Sequence, residues 1–459
     1  MSAELPVKGS VIMLTRRRSL AGLLAATGAG LAGCSGFSSL PSLSSSPPAP
    51  AGPPVPETTL GTGQVRIALI LPLSAGGNAG VAGQAMRNAA EMALAEFNSP
   101  NIQLLVKDDA GSADGARLAA QQAVDEGCEL ILGPLFAQAV SIVGQVARSR
   151  NIPVIAFSTD SNVASRGIYL LSFLPETDVA RIVQYASSVG KRSYAALIPD
   201  NPYETVVEAA FRQDVGRRGG QLVALERYSH DKAAMAGPVR NVAQVLSRAD
   251  SLFIPDGGDA LPDVAQALAA NGVNTKRIQL LGTGLWDDPR VFQTSALDGG
   301  WFAAPDGVGY RNFANRYAAR FKQQPVRTAT LAYDAVALVA ALVKTQGPQR
   351  FSPEVLTNPS GFSGIDGLFR FRQDGTCERG LAIMRVTPSG PQVIQAAPRS
   401  FGPGTRGGRS RARLSPAAPW PSAVRACRRA CPAAPPRRPR AWPAGSTPSP
   451  DSRTRERWR

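Results

Sequence analysis

Val65-Arg-Ile-Ala-Leu-Ile-Leu-Pro72 is a run apolar but for Arg66 and closed by a turn residue, and the stretch 83–97 behind it carries Ala85, Ala89, Met92, Ala93 and Phe97 near one helical face. A strand covered by helices above and below reads as such a run, because neither of its faces meets water. The pattern then changes to the 3.6-residue repeat of a helix packed on one side. The same unit recurs, with strands predicted at 102–107, 130–134 and 153–157 and helices at 113–126 and 139–149. Repeated strand-helix-strand units imply a parallel sheet with helices on both faces.

The alternation then starts a second time. Helices are predicted at 178–189, 203–218, 238–247 and 261–271, and strands at 194–198, 221–227, 251–255 and 278–281. Two further helices, at 311–323 and 328–344, precede strands at 367–371 and 381–386. Two successive open sheets predict an α/β protein of two doubly wound parallel-sheet lobes. Ligands are expected at the carboxyl ends of the strands, in the inter-lobe cleft.

The ends of the chain are of another kind. Arg16-Arg17-Arg18, then an apolar run from Leu20, then Leu31-Ala32-Gly33-Cys34, has the anatomy of a bacterial export signal. The run is too short to span a bilayer. Met13 is an alternative start, and Thr15 to Leu20 resembles a twin-arginine leader, so the export route stays open. Small residues before a lone cysteine resemble the lipobox of bacterial lipoproteins. That resemblance implies cleavage after residue 33 and a lipid on the Cys34 thiol; a plain cleavable signal is the other reading. Residues 34–63, rich in Ser, Pro, Ala and Gly, read as a tether. Such a leash spans roughly 30 Å as a coil and at most about 90 Å in polyproline form.

The net charge of +16 invites a nucleic-acid reading that its distribution removes. Residues 399–459 hold fifteen arginines, no lysine and only two acids, Asp451 and Glu456, for +13; the leader adds +3. Residues 34–398 are neutral, with 31 basic and 31 acidic side chains. A neutral body has no long-range field to gather a polyanion. The tail lacks apolar periodicity and reads as disordered. A basic arm for anionic lipid, nucleic acid or cell-wall polymer, an out-of-frame reading of a GC-rich gene, and plain linker-like disorder remain open for it.

Chemistry-bearing motifs are scarce. The five cysteines form no disulfide framework; Cys128, inside an apolar run, is expected to be a buried small hydrophobe. Cys377 falls in a turn, and Cys427 and Cys431 lack the partners of a zinc site. The single histidine, His230, reads as a surface residue. Neither a nucleophile elbow, a Walker loop nor a paired metal motif is present, and Gly257-Gly258-Asp259 lacks the lysine of a phosphate loop. A non-enzymatic protein without cofactor or metal is expected. Cleft candidates are Leu73 and Ser74 after the first strand, Phe136 after Gly133-Pro134, Ser158, Thr159 and Asp160 after the fourth strand, and Tyr203 at a helix start in the second lobe. Hydroxyls and free N–H groups at a helix start hold carboxylates, and Asp160 suits an ammonium. Capping of the following helix by residues 158–160 is the competing role.

Val65-Arg-Ile-Ala-Leu-Ile-Leu-Pro-Leu-Ser74 with its helix, Ile131-Leu-Gly-Pro134, Ile152-Pro-Val-Ile-Ala156, Pro199-Asp-Asn-Pro-Tyr203, Ala329-Thr-Leu-Ala-Tyr-Asp334 and Gly364-Ile-Asp-Gly-Leu-Phe-Arg370 together resemble the type I periplasmic binding proteins of the leucine/isoleucine/valine receptor family. The resemblance implies two lobes joined by three crossings, with residues 64–174 and 301–363 in the first lobe and 175–300 and 364–398 in the second. Where amino-acid receptors of that family offer hydroxyls to a ligand carboxylate, Phe136-Ala-Gln-Ala139 offers one amide and apolar groups. The anchor, the tether and this altered loop resemble the penicillin-binding-protein activator lipoproteins. That subgroup implies a periplasmic protein, lipid-anchored to the outer membrane of a Gram-negative bacterium, that stimulates peptidoglycan synthases. A receptor delivering amino acids or related compounds to an ABC importer is the alternative, with a small-molecule ligand in place of the protein partner.

Overall fold

The computed structural model describes residues 58–97 and 100–401, with nothing stated for the side chains of Pro202 and Tyr203. The export signal, Cys34, most of the tether and the arginine-rich tail lie outside these residues. Among the described residues no helix is long and apolar enough to cross a membrane.

The first lobe is built from β1 (Thr58–Leu60), β2 (Val65–Leu71), α1 (Gly77–Glu96), β3 (Ile102–Asp108), α2 (Ala113–Asp125), β4 (Leu130–Leu132), α3 (Ala137–Arg148), β5 (Val154–Ala156) and β6 (Ile168–Leu170). Its six strands run in the order β1-β3-β2-β4-β5-β6. All neighbours are parallel except β1, which lies antiparallel on β3 with Thr58 opposite Val106. Residues 58–60 are therefore part of the sheet and not of the tether, because the free edge of β3 offers them a ladder. Helix α1 begins six residues earlier than expected; its Gly/Ala-rich first turns carry too few large side chains to show a period.

The second lobe follows with α4 (Pro175–Ser188), β7 (Ser193–Pro199), α5 (Pro202–Arg217), β8 (Gln221–Tyr228), α6 (Lys232–Val245), β9 (Ser251–Phe253), α7 (Leu261–Ala270), β10 (Gln279–Gly282), α8 (Pro289–Gln293) and β11 (Trp301–Ala304). Side chains alternate between two cores: Tyr194, Ala196 and Ile198 of β7 face one, Ala195 and Leu197 the other. Helix α6 starts ahead of Pro238, the expected first residue, because Asp231 caps it by accepting the Ala234 N–H at 2.9 Å. Trp286 is fully buried, with its Nε1–H donated to the Ile254 carbonyl at 2.9 Å, and Gly282 leaves the space it fills.

The chain returns to the first lobe with α9 (Val308–Phe321), α10 (Ala329–Thr345) and the short α11 (Pro353–Leu356). Helix α10 is buried on most of its circumference and packs along α1. A three-stranded antiparallel sheet, β12 (Phe362–Gly364), β13 (Gly367–Phe371) and β14 (Cys377–Arg379), precedes β15 (Ala382–Thr387) and β16 (Gly390–Gln395). The second sheet is ordered β16-β15-β11-β10-β9-β7-β8, with the last two strands of the chain antiparallel at one edge.

Two segments fall outside the expected division. Residues 301–304 were expected in the first lobe, but β11 is a strand of the second sheet, parallel to β10 and antiparallel to β15 with Trp301 opposite Arg385. Residues 364–379, expected in the second lobe, contribute Phe369, Phe371 and Cys377 to the first-lobe core. The crossings therefore lie at 171–174, 305–307 and 380–381.

Candidate functional site

The carboxyl ends of β2, β4 and β5, adjacent strands of the first sheet, bring Leu73, Ser74, Phe136, Ser158, Thr159 and Asp160 to one edge. Their polar groups are engaged locally. Asp108 Oδ1, at the end of β3, accepts the N–H groups of Ser74 (3.2 Å) and Ala110 (2.8 Å). Asp109 accepts that of Gly111 at 2.8 Å. The Asp109 side chain is buried, and burial pushes its carboxyl up to about 6, against the pull of the Gly111 N–H and with the help of the Asp108 charge. Ser158 is buried and its Oγ accepts the Asp160 N–H at 3.1 Å. Asp160 Oδ1 accepts both the backbone N–H (3.0 Å) and the side-chain amide (2.9 Å) of Asn162, capping a single 3-10 turn. Thr159 is exposed, and Phe136, which precedes α3 without capping it, is 39% exposed.

The second lobe presents a polar cluster at the ends of β7, β8 and β9. Asn201 caps α5 by accepting the Glu204 N–H at 3.1 Å, and Tyr203 stands in the same first turn. Glu204 is buried with Oε2 unpartnered; burial, reinforced by the Asp256 charge, pushes its carboxyl up to about 8. Asp256 Oδ2 accepts the Tyr228 hydroxyl at 2.5 Å and lies 2.9 Å from His230 Nε2. Burial and the Asp256 carboxylate raise the Tyr228 phenol far above its ordinary value. His230 is thus partnered as well as half exposed, where the sequence pointed only to a surface position.

Between the lobes the crossings are laced together. The Phe173 ring lies between two guanidiniums, Arg379 at 4.5 Å and Arg327 at 4.6 Å. Arg379 Nε donates to the Ser172 carbonyl at 2.9 Å, and its two terminal nitrogens are buried without partners. Arg327 makes a two-pronged pair with Asp366, which also accepts the Thr330 hydroxyl at 2.7 Å. Asp178, on α4, accepts the Gly284 N–H at 2.9 Å, and burial pushes its carboxyl up to about 7 against that N–H and the Arg379 charge. Ser161 donates to Glu176 at 2.5 Å, joining the first-lobe turn to the first turn of α4. Sequence reasoning missed this hinge set and the Glu204 cluster; paired acids at strand ends, such as Asp108-Asp109, were the available signal for the first-lobe loop. Cys128 and Cys377 are both buried and free, Cys377 in β14 and not in a turn. Among the described residues no group of three His, Cys, Asp or Glu side chains is arranged to hold a metal ion.

The fold has counterparts among solved structures. A structure assigned as a branched-chain amino acid ABC transporter from Rhodospirillum rubrum matches 72% of this chain and 99% of its own, with a TM-score of 0.64 and 20% identity. A solute-binding protein of an ABC transporter from Rhodopseudomonas palustris BisB5, in complex with 3,4-dihydroxybenzoic acid, matches 73% of this chain and 97% of its own, with a TM-score of 0.52 and 19% identity. At these identities the likeness is one of fold. An uncharacterized protein of Rickettsia prowazekii (strain Madrid E) is 24% identical over 224 residues, which is 47% of this chain and 59% of the relative. The chain thus spans under two thirds of that relative's length. The family model described as periplasmic binding protein matches residues 64–391. Over the two lobes and the cleft between them, this chain belongs to the periplasmic binding protein family.

Proposed function

We propose that the protein is a lipid-anchored envelope protein that acts by contacting a partner, a peptidoglycan synthase of the penicillin-binding class, with no chemistry of its own. The observation that carries this reading is the first-lobe wall. Three backbone donors at these strand ends that could hold a ligand carboxylate are engaged by the wall's own groups, Ser74 N–H and Ala110 N–H on Asp108 and Asp160 N–H on Ser158. The wall offers the exposed ring of Phe136 in their place. Such a surface suits an apolar side chain of a protein better than a zwitterion. Phe136, with Leu73, Ser74 and Thr159, is the first-lobe contact face, Ser158 and Asp160 shape its turn, and Tyr203 belongs to the second-lobe helix start that we assign to the same contact. A lipid on Cys34 and the Ser/Pro-rich segment behind it would keep this face at high local concentration beside a membrane-bound enzyme.

A second reading, a solute receptor for an importer, is favoured by the ligand-bound relative of Rhodopseudomonas palustris. The two are separated by one pair of measurements on the purified chain. Glycan polymerisation by a bifunctional synthase is followed with and without the protein, and thermal unfolding is followed with added leucine or 3,4-dihydroxybenzoate. Stimulated turnover with an unchanged unfolding temperature is expected. A solute at 100 times its Kd would stabilise the fold by about 2.7 kcal/mol, so a concentration-dependent rise in unfolding temperature without synthase stimulation overturns the proposal.

A further inference from the structure

The chain beyond β16 does not remain with the second lobe. Ala397 still packs against that lobe's core. Pro398 then lies over Gly380, in the third crossing, so closely that a Cβ on Gly380 would stand 3.1 Å from Pro398 Cγ. Phe401 is seated on the first lobe: the Arg370 guanidinium covers its ring at 4.4 Å, and a Cβ on Gly361 would stand 2.8 Å from its Cε2. The seat is firmly made. Arg370 pairs with Glu378 through Nε (2.9 Å) and Nη2 (2.7 Å) and donates to the Pro359 carbonyl at 3.0 Å. Gly361, at φ +72°, takes a backbone conformation that a side chain would strain.

From these contacts we infer that residues 397–401 form a fourth connection between the lobes, latched without a covalent bond at Phe401, that holds the cleft at a set angle. Four residues reach at most about 14 Å when extended, and the Pro398 ring fixes one of their backbone angles. Hinge motion that carries Ala397 further from Gly361 than this short segment allows must first pull Phe401 out of its seat. The strap lies beside the crossing it braces, where Arg379 ties residue 380's neighbourhood to Ser172. Its role is independent of what occupies the cleft, so it stands or falls apart from the synthase reading.

The test measures the inter-lobe distance in the full chain. Nitroxide labels are placed at Leu118→Cys and Val189→Cys, exposed by 61% and 48% and one on each lobe, with Cys34→Ser, Cys427→Ser and Cys431→Ser to leave only buried cysteines besides. The parent is expected to give one narrow distance distribution in pulsed electron-electron resonance. Phe401→Ala should widen it about twofold as the crossing loses its anchor, and Phe401→Tyr, which keeps the ring in its seat, should restore the parent width. An alanine variant that folds and whose distribution superimposes on the parent's overturns the inference. Should Phe401→Ala not fold, Arg370→Gln, which keeps the ring and removes its cover, is read in the same way: a widened distribution supports the strap and an unchanged one refutes it.

Discussion

Glu204 makes the stability of the second lobe depend on pH in a direction opposite to that of an ordinary salt-bridged acid. Its carboxyl is buried, has one oxygen without a partner and titrates at about 8 in the folded protein. In the unfolded chain it titrates near its ordinary value of about 4.3. The folded state therefore holds a proton that the unfolded state has released throughout the interval between these values. Stability contributed by the protonated form is complete below the unfolded pKa and is lost progressively as pH rises, levelling off above the folded pKa. Within that window the slope is about −1.4 kcal/mol per pH unit, so the step from pH 5.5 to 7.5 removes roughly 2.5 kcal/mol. Asp109, Asp178 and Asp334 are raised as well and slope the same way, so the measurement is the difference between the parent and Glu204→Gln. Urea unfolding is followed by tryptophan fluorescence, to which Trp286 and Trp301 of the same lobe contribute. The glutamine variant should gain stability relative to the parent by about 2.5 kcal/mol across those two pH units. Parallel pH profiles for the two proteins would refute the assignment of a buried, proton-bearing Glu204.

Three further outcomes follow from packing. Gly282→Ala places a Cβ against the Trp286 indole, which must leave its site and its bond to Ile254; a loss of about 1–3 kcal/mol with a red-shifted tryptophan emission is expected. Phe173→Ala removes the ring between Arg379 and Arg327, leaving two buried or half-buried cations facing each other. A loss of about 2–4 kcal/mol is expected, with faster hydrogen exchange in residues 171–174, and unchanged exchange there would show that the stack does not hold the hinge. Phe136→Glu changes an exposed ring and should alter stability by no more than about 0.5 kcal/mol, while it abolishes synthase stimulation; full stimulation by this variant would remove Phe136 from the contact face.

Legibility varied with how local the deciding interactions are. The strands β2 and β7 were visible because each is buried on both faces over most of its length and is apolar there, with only Arg66 and Ser193 near their starts breaking the run. By contrast β1, β6, β12 and β14 are three residues long and gain their strand character from a neighbour that the local sequence does not name. At the site, the candidate strand ends in the first lobe could be located from the end of each apolar run. The use of Ser158 and Asp160 within their own turn was one of two readings until the bonds to residues 160 and 162 were seen. Glu204 gave no sign of burial, since Pro-Tyr-Glu at a helix start ordinarily leaves the acid in water; the Asp256 charge that reinforces its shift follows β9, far along the chain.

The alternation of strand and helix, the restart that makes two lobes, the family resemblance, and the separation of a neutral body from positively charged ends were all legible in the residues, because each is written in periodicity, motif or composition. Which lobe holds β11 and the β12–β14 sheet, how Phe173 joins Arg379 and Arg327, and that Phe401 returns to the first lobe came from the folded chain alone. Those outcomes depend on ladders and packing between residues far apart in the chain, where a strand's sheet is chosen by the partner that satisfies its backbone and an arginine's role by the ring or carboxylate that folding brings to it.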